Sequence, residues 1–146
     1  MKKFFFRLET LLKIRRAHEG TIKRELEHIN QKLGQAKEKE RMLQTQIHSL
    51  TEEMRKRREE GKLDLQETYH QILEHLTSSL AVLQQNLLAQ QKQVEEQQER
   101  LKQAVLERKV IEKIKEKHYA GWLSRHSQSE GALLDEIALK KPADSK

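Results

Sequence analysis

An apolar ladder climbs this chain in alternating steps of four and three residues. Its rungs run Ile22, Leu26, Ile29, Leu33, Ala36, then Leu43, Ile47, Leu50 and Met54, with only Glu40 off-type. After Gly61 the ladder restarts at Tyr69, Ile72, Leu76, Leu80, Leu83 and Leu87, and continues through Val94, Leu101, Ala104 and Ile111. A repeat averaging 3.5 residues keeps one apolar seam facing a partner helix, which is the signature of a coiled coil. The break near Gly61 divides the ladder into two seams of one chain. The spacing therefore predicts an all-α fold, a long antiparallel two-helix coiled coil that needs no second copy and is monomeric when free.

The expected organisation is a single unit over 1–146: helix one about 4–60, a turn about 61–63, helix two about 64–139 and a short tail 140–146. Helix one would be a rod of roughly 85 Å at the usual helical rise. Gly61 suits the left-handed residue that closes a helix, after the basic last turn Arg55-Lys56-Arg57-Arg58. Asp64 and Glu67 have the spacing of a capping box. Antiparallel pairing across this turn sets residue i beside roughly 123 minus i. Everything beyond Trp122 then overhangs as one helix, which the low propensity of 121–131 should fray or kink.

Composition supports the rod over a compact core: charged residues make up 36% and apolar ones 35% of the chain, too little apolar mass for a globule this charged. Disorder is the competing reading, but disordered chains lack regular periodicity. No cysteine is present, compatible with a reducing compartment. The start Met1-Lys2-Lys3-Phe4-Phe5-Phe6-Arg7 has an apolar run far short of the roughly 7 to 15 residues of a signal peptide, so a cytosolic start is expected.

The excess charge is uneven. Residues 1–24 hold eight Lys or Arg against Glu9 and Glu19, whereas 25–61 and 62–146 each balance. Arg108, Lys109, Lys113, Lys115 and Lys117 outweigh Glu112 and Glu116, and the register lays them beside residues 6–15. Like charge stacked on both helices is expected to cost stability there, which points to an acidic partner at this end. An anionic membrane surface touched by Phe4, Phe5, Phe6, Leu8, Leu11, Leu12 and Ile14 and an acidic protein ring or cleft are the candidate partners. Nucleic acid is not expected, because this end lacks aromatic residues spaced for stacking on bases and any binding motif. The seven histidines include no pair at i,i+4, no phosphate-cradling loop exists, and two helices enclose no concave pocket. No enzyme activity, cofactor or metal site is expected.

The opening Met1-Lys2-Lys3-Phe4-Phe5-Phe6-Arg7-Leu8-Glu9-Thr10-Leu11-Leu12-Lys13-Ile14-Arg15 resembles the start of the flagellar export protein FliJ family. Glu112-Lys113-Ile114-Lys115-Glu116-Lys117, Glu130 and Leu134-Asp135-Glu136-Ile137-Ala138 resemble its far end, in the same order and distance. The resemblance implies a coiled coil similar to the central stalk of rotary ATPases, serving the flagellar type III protein export apparatus. Its terminal end would enter the hexameric export ATPase, and other surfaces would meet the cytoplasmic part of the export gate and the export chaperones. It would work in the cytoplasm, held peripherally at the inner membrane through the apparatus. Alternatives are a basic coiled-coil adaptor for membrane or nucleic acid, and the equivalent stalk of an injectisome.

On this reading the ATPase-contacting residues are Phe5, Leu8, Leu11, Arg15 and Arg16 on helix one and Lys113, Lys117, Trp122, Leu134 and Glu136 on helix two. Tyr69, Ile72, Leu73 and Leu76 hold more apolar width than a two-stranded seam needs. They are the expected gate or chaperone patch.

Overall fold

A computed structural model describes residues 3–144, with side chains through residue 139. Two helices account for nearly all of it, α1 (Glu9–Glu59) and α2 (Gln66–Asp144), with no strand among the described residues. The fold is all-α, and the two helices pack against each other antiparallel. The chain divides into two compact units: one holds the chain up to Gly20 with the chain from Lys102 onward, the other holds Thr21–Leu101.

In the Thr21–Leu101 unit, Leu33, Ala36, Leu87 and Val94 form the buried seam, with Leu26, Ile29 and Leu83 against it. Glu25 meets Gln97, where the expected register gives 98, and Glu53 meets Tyr69, where it gives 70. Two seam amides differ sharply. Gln97 is buried and donates to the Ile22 carbonyl at 3.3 Å and to Glu25 at 2.9 Å. The amide oxygen of Gln90 is buried with no partner.

The turn is closed as the sequence predicts. Gly61 has φ of 76°, the Gly61 N–H donates to the Arg58 carbonyl at 3.1 Å, and Lys62 N–H donates to Arg57 at 2.9 Å. These two bonds are the Schellman pair, and the positive φ is why glycine stands there. The connection is longer than expected, however, because α2 starts at Gln66 rather than Asp64. Its first turn is opened by Tyr69 N–H donating to the Leu65 carbonyl at 3.0 Å, not by an Asp64 cap.

A starting phase fixes which residues form the seam. Gln66, Tyr69, Leu73, Leu76, Leu80 and Leu83 are the buried-side positions, in strict steps of three and four. The rung assigned to Ile72 therefore belongs to Leu73, and Ile72 is 45% exposed.

The chain's start also departs from the helix expected at Phe4. Residues 3–6 belong to no helix or strand, a turn occupies 7 and 8, and α1 begins at Glu9. Outside a helix alternate side chains can share a face, whereas in a helix residues two apart diverge. Phe6 is accordingly buried and Phe4 half-buried, while Phe5 points away at 84% exposure. At the other end α2 runs unbroken through Gly121 and Gly131 to Asp144, past the end expected near Leu139, instead of fraying.

Candidate functional site

The candidate site is the unit that carries both ends of the chain. Its core is Phe6, Leu12 and Ile111, with Phe4, Leu8, Leu11 and Ile114 packed against it; Leu12 is wholly buried. The non-helical start lies against α2 through rings. Phe4 meets Tyr119 edge-on at 5.1 Å and Trp122 at 5.9 Å, and Phe6 meets His118 edge-on at 5.7 Å. Trp122 stacks in turn on Tyr119 at 6.0 Å and on His126 at 5.3 Å. Edge and offset-stacked geometries are those the ring quadrupoles favour.

The expected repulsion between basic helices does not arise, because carboxylates interleave with the cations. Arg15 pairs with Glu107 at 2.5 Å, Lys115 with Glu9 at 2.7 Å and Arg16 with Glu112 at 3.3 Å. Arg108 bridges Glu19 and, at 2.8 Å, Glu112. Glu19 and Arg108 stand at seam positions, so an ionic layer interrupts the apolar seam. Hydrogen bonds from Arg108 hold Glu112 below the usual carboxylate range. The Lys115 ammonium does the same for Glu9, and the two carboxylates push Arg108 above the usual guanidinium value. Charge-assisted bonds favour the charged form in each case.

Against this paired set, Lys3, Arg7, Lys109, Lys113 and Lys117 are exposed and make no ion pair among the described residues. Of the residues singled out in sequence, Phe5, Lys113, Lys117, Leu134 and Glu136 are exposed, and Leu134 stands 65% open on the helix beyond Trp122. Leu8 and Leu11 pack on the core, Trp122 sits half-buried in the ring stack, and Arg15 and Arg16 are held in ion pairs. Sequence reasoning missed the ring cluster of Phe4, Tyr119 and His126, although the single tryptophan with a tyrosine three residues before it was a visible signal.

The second candidate patch lies in the Thr21–Leu101 unit. Tyr69 donates its hydroxyl to Glu53 at 3.0 Å, and the Arg57 guanidinium lies 5.2 Å from its ring centroid. Leu73 and Leu76 are half-buried in the seam, which leaves Ile72 as the open member.

Among the described residues there is no cluster of side chains that could hold a metal ion, and no helix long and apolar enough to cross a membrane. The grooves of the ring-bearing unit are shallow; one is lined by Phe4, Arg16, Glu112, Lys115, Glu116 and Tyr119.

No curated protein and no solved structure matches the chain significantly. The family described as Flagellar FliJ protein matches residues 4–146. The match runs from the ring-bearing start through both helices. The chain belongs to the flagellar FliJ protein family, a component of flagellar protein export.

Proposed function

We propose that the chain is a non-enzymatic stalk whose terminal end enters the hexameric export ATPase on the cytoplasmic side of the inner membrane. The observation that carries this reading is the split between satisfied and unsatisfied charge at that end. Lys3, Arg7, Lys109, Lys113 and Lys117 make no ion pair among the described residues, whereas Arg15, Arg16, Arg108 and Lys115 of the same unit are paired, and Phe5 between Lys3 and Arg7 in sequence is exposed. Unpaired cations around an exposed ring suit an acidic protein surface, where they steer encounter and fix register. The helix beyond Trp122 adds open apolar surface at Leu134. Ile72, exposed beside its seam, is the proposed contact for the export gate or an export chaperone.

The test is stimulation of the purified export ATPase from the same bacterium. Arg7→Glu with Lys113→Glu and Lys117→Glu disturbs no ion pair, unlike reversal of Arg15 or Arg16. The triple variant should keep wild-type helicity, lose most of the stimulation, and stop co-eluting with the hexamer. Undiminished stimulation by a folded triple variant refutes ring entry through this face.

A further inference from the structure

Beyond the point where α1 stops covering it, α2 carries a second ladder. Tyr119, Leu123, His126, Glu130, Leu133 and Ile137 recur in steps of four, three, four, three and four. This is coiled-coil spacing, one residue out of phase with the side that packs on the chain's own start, where His118 meets Phe6 and Trp122 meets Phe4; Tyr119 also meets Phe4 by its ring edge. The apolar members are open: Tyr119 and Leu123 are about half exposed, Leu133 is 59% and Ile137 46% exposed. Sequence reading passed over this ladder because a histidine and a glutamate occupy its two central rungs.

We propose that this stripe is a homotypic interface through which two copies of the chain pair antiparallel by their C-terminal helices. The occupant follows from the order of the rungs, which reads the same in size and complementary in charge from either end. An antiparallel copy centred on Gln128 sets Tyr119 against Ile137, Leu123 against Leu133, and His126 against Glu130 of the second copy. Every apolar rung meets an apolar rung, and each imidazole meets a carboxylate. Within one chain His126 Nε2 already lies 3.2 Å from Glu130, so these two groups suit each other chemically. The parallel alternative stacks Glu130 on Glu130, which like-charge repulsion disfavours, and leaves each imidazole without a facing carboxylate. Flanking positions agree: Ser127 faces Ser129 of the second copy at the centre, Trp122 faces Leu134, and Glu136 faces Ala120 rather than another acid.

The stripe spans roughly 27 Å of helix. An interface of that length is at the small end of specific ones, so pairing is weak and reversible. Paired helices leave Leu133 and Ile137 covered, and a chain so paired cannot present them elsewhere. The inference does not rest on ring entry, and its test involves no ATPase.

Sedimentation velocity of the full chain, up to about 1 mM, should show a concentration-dependent dimer. Leu133→Glu with Ile137→Glu should leave helicity intact and keep the chain monomeric throughout. His126→Glu should weaken pairing at least about 10-fold, and adding Glu130→His should restore it, since the swap keeps opposite groups facing. Orientation is read by oxidative cross-linking, because the chain has no cysteine of its own. A mixture of Leu123→Cys and Leu133→Cys chains should link faster than either alone. A wild-type chain that stays monomeric overturns the proposal, as does dimerisation that survives the double glutamate variant. Faster self-linking of Leu123→Cys overturns the antiparallel arrangement.

Discussion

Gln90 and Gln97 stand one heptad apart in the same seam, and replacing each by leucine should give opposite lessons. Leucine at either site adds apolar contact worth about 1 to 2 kcal/mol, since seam positions of a two-stranded coil are not fully enclosed. At Gln90 the change also removes a buried amide oxygen that has no partner, a group that costs about 1 kcal/mol or more to keep dry. Gln90→Leu should therefore stabilise by about 2 kcal/mol. At Gln97 the same leucine gives up the bonds to the Ile22 carbonyl and Glu25, each contributing about 1 kcal/mol. Neither partner is stranded, because the Ile22 carbonyl belongs to a helix and Glu25 is exposed. Gln97→Leu should come out near neutral. Urea denaturation followed by far-ultraviolet circular dichroism reads both, with the denaturant slope checked for constancy. Equal stabilisation at both sites, or a loss of stability at Gln90, refutes the distinction between a satisfied and an unsatisfied seam amide.

Leu12→Ala opens a hole at the side chain that is wholly buried among the described residues and should cost about 3 kcal/mol, read by the same denaturation; a loss below about 1 kcal/mol means the site collapses around the hole. Gly61→Ala meets no steric neighbour but forces a left-handed backbone, so about 1 kcal/mol should be lost from the turn, measured by amide exchange at Gly61 and Lys62. Acid should loosen the unit that carries the termini. Glu9 and Glu112 have folded pKa values below the ordinary 4.5, so their contribution is complete above about 4.5 and is lost as pH falls through the depressed values. A titration of helicity should show that loss below pH about 4.5, and Lys115→Met should flatten it.

The seam spacing, the glycine turn and the antiparallel register were all legible because each depends on residue type at fixed intervals. The seam phase in α2 was not, since Tyr69 can step to Ile72 or Leu73 and both reach Leu76. Gln66 decides it, but a polar rung carries no apolar signal. The non-helical start was hidden for a related reason: three consecutive phenylalanines fit a helix face as readily as a segment that buries alternate side chains, and the rings across on α2 select the alternation. The ion pairs were missed because they depend on side-chain reach. Glu107, which neutralises Arg15, lies just outside the basic stretch, and Arg108 joins Glu19 and Glu112 at once. At the candidate site, types and positions were readable, but which cations stay unpaired was not.

The chain's single tryptophan sits among Phe4, Tyr119 and His126, at the junction of the non-helical start and the open helix. Trp122 is therefore an intrinsic fluorophore placed at the end where partners are proposed to arrive. Its emission should respond to displacement of Phe4, to ordering of the neighbouring imidazole, and to exclusion of water by an incoming surface. Engagement at this end can then be followed in real time on the unlabelled protein.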